Sequence, residues 1–394
     1  MQAKQIVVTG AVRTAIGTFG GALKAEAPVE MAGKVVQEAV ARSGIPAEQI
    51  GHCVFGQVLP TERRDLYMGR VAALKGGLLQ ETPSLTVNRL CGSGLQALVS
   101  AAQQIQLGVC SSAVAGGAES MSLTNYWTPA ARWGQRMGDA ALLDSMVGAL
   151  TCPFENVHMG ITAENIAQAW GITREQQDEL ALLSHQRAQA AIESGRFTDQ
   201  ILPIEVSSRG KTQTFDKDEH VRLGATAEDF SSLRPVFKRD GTVTAGNASG
   251  LNDAAAALVL MDQALAEKQG IAPLARLVDY TFAGVEPKYM GIGPVPAVKS
   301  LLEKNALKVD DIDLWEVNEA FASQAIAVVQ DLNLPMERVN PNGSGISLGH
   351  PIGATGAVIT VKALYELQRI RGRFAVVSMC IGGGQGIVAL FERV

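Results

Sequence analysis

An α/β fold built from two homologous halves is what this 394-residue sequence predicts, for two reasons. Short apolar runs of strand character alternate with longer amphipathic stretches, the pattern of helices layered on sheets. The sequence also matches itself at one constant offset: Ser43–Ile50 falls on Asn305–Ile312, a shift of 305 − 43 = 262. The same shift lays Gly94 and the helix after it on Gly356 and its helix, and Ala113–Ala115 on Ala375–Val377.

The elements follow in order. Ile6–Thr9 reads as the first strand, and Met1–Lys4 run straight into it without a signal or transit pattern. From about Pro28 to Arg42 a helix places Met31, Val35, Val36, Ala39 and Val40 on one face. Cys53–Phe55 is the next strand, followed by Leu85–Leu90, a helix from Leu95 to Leu107, and Ala113–Ala115. In the second half come a helix from Pro296 to Lys304, the strand Trp315–Val317, a helix from Val358 to Ile370, and strands at Ala375–Ser378 and Ile387–Phe391. Between the halves the texture changes. Asn125–Pro129 and Ala149–Glu155 read as loops, Thr173 caps a helix running to Ile192, and Arg209–Asp240 is rich in mixed charge. The expected organisation is therefore a first half at 1–120 with 246–270, an insertion at 121–245, and a second half at 271–394. A long insertion in a compact enzyme usually covers a site.

Composition narrows the function. Lys plus Arg less Asp plus Glu is 34 − 39 = −5, no electrostatic footprint for nucleic acid. With 47% apolar and 19% charged residues the chain can fill a large core and is not disordered. The purest apolar run, Ala254–Met261, is far short of a membrane span, so a soluble, cytoplasmic protein is expected. Five cysteines without a CxxC pair argue against a disulfide framework and a structural zinc, and fit a reducing compartment. Glycine stands out at 41 of 394, or 10.4%, against an ordinary share of about 7%.

A cysteine is more often a small buried hydrophobe than a nucleophile. Cys53, Cys110 and Cys152 have no activating neighbour and read as packing. Cys91 differs: it closes a strand and precedes Gly92-Ser93-Gly94 and a helix, an elbow whose glycines allow a tight turn. At a helix N-terminus the dipole and free N–H groups would stabilise a thiolate. Cys380 ends a strand and opens Ile381-Gly382-Gly383-Gly384-Gln385-Gly386, which suits either an oxyanion site or a plain hairpin. His52 and His185 fall inside regular elements. His350 sits in the glycine-dense Asn342–Gly356, close to the Cys91 elbow under the repeat, so the two halves could bring thiol and imidazole together. No Gly-Lys-Ser/Thr follows, which excludes a Walker loop.

Val87-Asn88-Arg89-Leu90-Cys91-Gly92-Ser93-Gly94 resembles the nucleophile motif of the thiolase family. Asn318-Glu319-Ala320-Phe321, Gly349-His350-Pro351, Cys380-Ile381-Gly382-Gly383-Gly384 and Gly246–Asp253 resemble its other motifs, so the likeness covers essentially the whole chain. It implies the thiolase fold: two βαβαβαββ halves in a five-layer αβαβα arrangement, plus an inserted loop domain. It also implies an acyltransferase of the acetyl-CoA C-acetyltransferase or 3-ketoacyl-CoA thiolase type, serving fatty-acid or polyhydroxyalkanoate metabolism. Coenzyme A and acetyl-CoA would be substrate and product, with no permanent cofactor and no metal.

By the same resemblance Cys91 carries the acyl group, His350 takes its proton and Cys380 is the acid/base. Asn318 would hold a water that forms one oxyanion hole with His350, and the Cys91 and Gly382 N–H groups would form the second. His158, Met159 and Ser249 would line the pantetheine channel, Arg222 would approach the CoA phosphates, and Met290 would line the acyl pocket. Arg222 could equally pair with Asp218 or Glu219, and Met290 could be core. Ala254 and Asp229 depart from the biosynthetic pattern near CoA. Tyr126–Gly134 resembles the cover segment of members that accept chains longer than acetyl, such as propionyl. The family forms dimers or tetramers. A ketosynthase would carry histidine in place of Cys380, and a non-catalytic acyl-CoA binder would be expected to lose one of the three reactive residues.

Overall fold

The computed structural model describes residues 4–208 and 210–394; the leader reading at 1–3 and the Arg209 end of the charged stretch lie outside the described residues. Nine strands form the body of one sheet: β1 (Ile6–Thr14), β2 (Cys53–Gly56), β3 (Ser84–Val87), β4 (Ser112–Ser120), β5 (Asn252–Asp262), β6 (Ala275–Gly284), β7 (Leu314–Val317), β8 (Phe374–Ile381) and β9 (Gln385–Arg393). Their order is β7-β8-β9-β6-β1-β5-β4-β2-β3, with Gly17–Thr18 and Ile201–Leu202 added at its side. The two halves are read from this order. One half runs β3-β2-β4-β5-β1; the other runs β7-β8-β9-β6, and a parallel bridge from Trp315 to Val339 stands where β3 stands in the first. They join edge to edge through three antiparallel pairs, Ile6 with Leu277, Val7 with Arg276 and Val8 with Ala275.

Seven helices matter for the site: α1 (Pro28–Ser43), α2 (Ser93–Gln106), α3 (Met159–Trp170), α4 (Arg174–Glu193), α5 (Pro294–Lys304), α6 (Ala322–Leu332) and α7 (Thr355–Ile370). Period-two alternation in the strands sorts them into layers. In β4, Ala113 and Ala115 point into the core holding Leu95 and Leu98 of α2 and Val361 and Leu364 of α7, while Val114 points outward to Val36 of α1. In β8 the same split appears: Ala375 and Val377 face the central core, and Val376 faces Val298 and Leu301 of α5. The outcome is helix, sheet, paired central helices, sheet, helix. The apolar run Ala254–Met261 is the buried middle of β5, covered on both faces.

In the insertion, Ile204–Ser208 pairs with Lys211–Phe215, and α4 begins with Thr173 and Gln176 capping one another. The segment after that hairpin is anchored by a bidentate pair. Arg13 on β1 meets Asp218 at 2.7 and 2.9 Å with both side chains fully buried, and Asp218 also accepts from the Ile16 N–H.

Candidate active site

The chain leaves β3 at Val87, three residues earlier than the sequence suggested, because side chains take over the backbone hydrogen bonds. Asn88 accepts from the Leu90 N–H at 2.9 Å, and Ser93 accepts from the Arg89 N–H at 2.9 Å while donating to the Leu90 carbonyl at 2.6 Å. The left-handed residue of the elbow is Leu90, at φ 46°, not a glycine. Such strain, of order 1–3 kcal/mol for a non-glycine residue, persists where its surroundings over-determine it. The glycines serve close approach instead. A Cβ on Gly92 would stand 2.7 Å from Ile381, and one on Gly94 would stand 2.6 Å from the Ala357 amide.

Cys91 is half-buried, and burial pushes its thiol up to about 11 although the Gly382 N–H beside the sulfur acts in the other direction. Desolvation thus works against the helix-stabilised thiolate expected from the sequence and favours the neutral thiol. Cys380 lies at the end of β8, buried, its thiol driven far above the ordinary range by burial and then by Cys91. Gly382–Gly384 form the hairpin to β9, with Gly383 and Gly384 at φ 85° and 87°, and the same turn presents the Gly382 N–H to Cys91. The hairpin reading holds, and the same turn leaves the Gly382 N–H beside the Cys91 sulfur.

His350 comes from the loop before α7. Its backbone N–H donates to Asn252 at 2.9 Å, its Nδ1 lies 2.6 Å from the Thr355 hydroxyl, and its Nε2 lies 3.5 Å from Asn318 Nδ2. Gly349, at φ 111°, allows that path, since a Cβ there would strike Asn252. Burial pushes His350 down to about 4, so the ring is neutral at ordinary pH. Asn318 sits just past β7, and its Oδ1 is buried without a hydrogen-bond partner among the described residues.

Two cavities meet here. One of about 50 Å³ is lined by Leu90, Cys91, Met159, Met290, Cys380 and Gly382 among others. The second, about 410 Å³, is lined by Met146, Val147, His158, Phe237 and Ala248 among others. They share Leu150, Ser249, Phe321, His350 and Ile352 as walls, so they lie side by side. His158 caps α3, accepting from the Gly160 N–H at 3.1 Å, and stacks on Phe237 at 4.6 Å. Met290 is buried and faces the reactive cavity, so it is both core and lining.

Arg222 is exposed and lines neither cavity. The pairing partners weighed for it are engaged elsewhere: Asp218 with Arg13, and Glu219 with Thr18 and the Ala22 N–H. The Arg222 N–H donates to His185, and its guanidinium stands 5.9 Å from the Phe230 ring. Asp229 caps Thr226 on the exposed side of a short helix, and Ala254 is buried within β5. Cys53 and Cys152 are buried and Cys110 is half-buried.

Two residues were missed by sequence reasoning. Glu119, next to last in β4, is fully buried, and its side chain accepts from the Val58 and Leu59 N–H groups at 3.1 Å and the Gly353 N–H at 2.8 Å, pinning loops of both halves. Burial pushes it up to about 8 against those three donors. An acid near the end of an otherwise uncharged strand was its only signal. Thr355 is the second.

Comparison with known proteins agrees with this geometry. Residues 6–264 match the model of the thiolase N-terminal domain and residues 271–393 that of the thiolase C-terminal domain. The chain is 62% identical to the beta-ketothiolase BktB of Cupriavidus necator over 99% of this chain and 100% of that protein. It is 47% identical to the acetyl-CoA acetyltransferase of Escherichia coli over 99% of each. The crystal structure of the Bacillus anthracis acetyl-CoA acetyltransferase superposes with a TM-score of 0.97 at 49% identity, covering 100% of this chain and 99% of that one. Human mitochondrial 3-ketoacyl-CoA thiolase in complex with CoA superposes at 0.96 and 42% identity, covering 99% and 98%. Duplicated halves, a cysteine elbow facing a histidine loop, and matches along nearly the whole length lead to one assignment: the chain belongs to the thiolase family.

Proposed function

We propose that this protein is a β-ketothiolase, an acyltransferase that reversibly condenses acetyl-CoA with a second acetyl-CoA or a short acyl-CoA. One observation carries the reading: Cys91, His350, Cys380 and the Gly382 N–H converge on a small cavity beside a larger one. In the first half-reaction Cys91 Sγ attacks the acetyl-CoA carbonyl and passes its proton to neutral His350. The carbonyl oxygen is held by the Cys91 and Gly382 N–H groups, and losing one such donor typically costs about 3 kcal/mol. The CoA thiolate leaves with a proton from Cys380. The resulting Cys380 thiolate, a strong base because it is desolvated, then takes the α-proton of the second acyl-CoA. The enolate oxygen is stabilised by protonated His350 and by a water on Asn318. Its carbon attacks acetyl-Cys91, and the departing Cys91 sulfur recovers its proton from His350. Coenzyme A is substrate and product throughout, and no permanent cofactor is needed.

Short chains suit the reactive cavity. At about 50 Å³, walled by Leu90, Met159, Met290 and Phe321, it favours a small acyl group such as acetyl or propionyl. His158, Ser249 and Phe237 would accompany the pantetheine arm, and the insertion, 121–245, would act as cover over the halves 1–120 with 246–270 and 271–394. Arg222, being exposed and without an ion-pair partner among the described residues, would meet CoA phosphates only at the channel mouth. Intact mass after mixing with acetyl-CoA tests the scheme. Cys91→Ala is expected to abolish the acetyl adduct, whereas Cys380→Ser acquires it but loses condensation by about 10²–10⁴-fold. Unchanged condensation in Cys380→Ser would refute the assigned base.

Assembly and location belong to the same proposal. Leu85 on the edge strand β3, with Leu66 and Tyr67, and separately Trp133 and Met137, are exposed apolar residues suited to a dimer and a dimer of dimers; light scattering checks this. No helix among the described residues is long and apolar enough to cross a membrane. Free cysteines at 91 and 380 fit a reducing compartment such as the cytoplasm.

A further inference from the structure

We propose that Thr355 is a positioning residue that fixes the tautomer of His350, holding the proton on Nδ1 so that Nε2 is left as the acceptor for the Cys91 proton. The inference rests on His350 being the base of the reaction. Its geometric basis lies within one turn of chain. The Thr355 hydroxyl lies 2.9 Å from the Pro351 carbonyl, which also accepts the Ala354 and Thr355 N–H groups, and donating there uses its only hydrogen. What Oγ1 then offers His350 Nδ1, 2.6 Å away, is a lone pair, and Nδ1 must supply the hydrogen. On the far side of the ring, Nε2 faces the amide nitrogen of Asn318 at 3.5 Å, a donor, which again leaves Nε2 as the acceptor. Both neighbours therefore favour the same tautomer.

Thr355 itself cannot swing away. It is 1% exposed, is the first residue of α7, and its own N–H also donates to the Pro351 carbonyl at 2.9 Å. The loop between is pinned from the other half by Glu119 on the Gly353 N–H, and from β5 by Asn252 on the His350 N–H. So the imidazole is held at its backbone and at Nδ1, which leaves Nε2 as the less engaged ring nitrogen of a residue that lines the reactive cavity. A base in the opposite tautomer has its hydrogen where the Cys91 proton must arrive. Outer partners of this kind orient a ligand or base without touching substrate.

Variants at Thr355 and His350, read by ¹⁵N spectra and acylation rates, test it. Solid-state ¹⁵N spectra of histidine-labelled protein, assigned by difference with His350→Gln, should show Nδ1–H at His350 in the wild type and in Thr355→Ser. Thr355→Val, which keeps shape and removes the acceptor, should populate the Nε2–H form. Its acetylation at Cys91 should slow by about 10–100-fold with KM for acetyl-CoA within about twofold, while Thr355→Ser stays within about threefold of wild type. A wild-type spectrum with Nε2 protonated overturns the proposal, as does full-speed acylation by folded Thr355→Val. If Thr355→Val is too unstable to assay, the wild-type and Thr355→Ser spectra still decide. Wild-type acylation in His350→Ala would instead remove the base reading beneath it.

Discussion

Neutrality governs the chemistry at the scale of single residues. Burial lowers His350 to about 4 and raises Cys91 to about 11, so between those values the favoured pair is imidazole and thiol. The signs matter: a lowered histidine gains charge only in acid, and a raised thiol loses its proton only in alkali, so the pair titrates at its two extremes. Alkylation of Cys91 by iodoacetamide is therefore expected to be nearly flat between pH 6 and 9 in the wild type, because the proton moves only to His350. In His350→Ala it should rise by roughly tenfold per pH unit, following the thiolate fraction of an unassisted thiol. The same tenfold slope in the wild type would refute the coupling. Cys91, His350 and Cys380 were legible because each stands beside glycine-dense turns that few other uses require. Glu119 and Thr355 were not. Glu119 acquires meaning only from partners 61 and 234 residues away, and Thr355 only from a loop folding back on its own histidine.

Elements repeat their ends as well as their order. Helix α1 stops at Gly44 with φ 73°, and its counterpart α5 is followed by Ala306 with φ 54°, at 44 + 262 = 306. Two helices thus close with the same left-handed residue, once as glycine and once as alanine. Left-handed backbone costs a residue with a Cβ roughly 1–2 kcal/mol. Part of that is returned because alanine also loses less entropy on folding than glycine. Ala306→Gly should therefore raise the urea midpoint by about 0.5–1 kcal/mol of stability with an unchanged slope, and Gly44→Ala should lower it similarly. At Gly44 only Ile271 would approach an added Cβ, at 3.8 Å, so the effect there is conformational and not steric. A midpoint that fails to rise in Ala306→Gly would contradict the account. The long helices were readable because one buried face imposes a period, as for Pro28–Ser43, and the central strands because burial on both faces makes them continuous apolar runs, as in Ala254–Met261. The insertion's small strands, Tyr126–Trp127 with Leu143–Asp144 and Thr151–Cys152 with Val157–His158, are too short to carry one.

The two halves communicate through a reciprocal contact at the centre of the molecule. Gly94 on α2 lies so close to α7 that a Cβ would stand 2.6 Å from the Ala357 amide, and Gly356 on α7 lies so close to α2 that a Cβ would stand 2.2 Å from the Leu95 amide. The pairs exchange under the repeat, since 94 + 262 = 356 and 95 + 262 = 357. Backbone cannot yield as a side-chain tip can, so either substitution must push the central helices apart. One helix begins just after Cys91 and the other just after His350, so separation would lengthen the distance between the proposed nucleophile and the proposed base. Gly94→Ala and Gly356→Ala are each expected to cost about 1–3 kcal/mol, the usual range for overpacking, and to slow Cys91 acetylation more than they raise KM. Once one helix has moved, the second contact is already relieved. The double variant should therefore cost clearly less than the sum of the singles, in stability and in acylation rate alike. Thermal denaturation and single-turnover acetylation on the four proteins close the cycle. Strict additivity would show that the two glycines act independently, and that the halves are not coupled through this crossing.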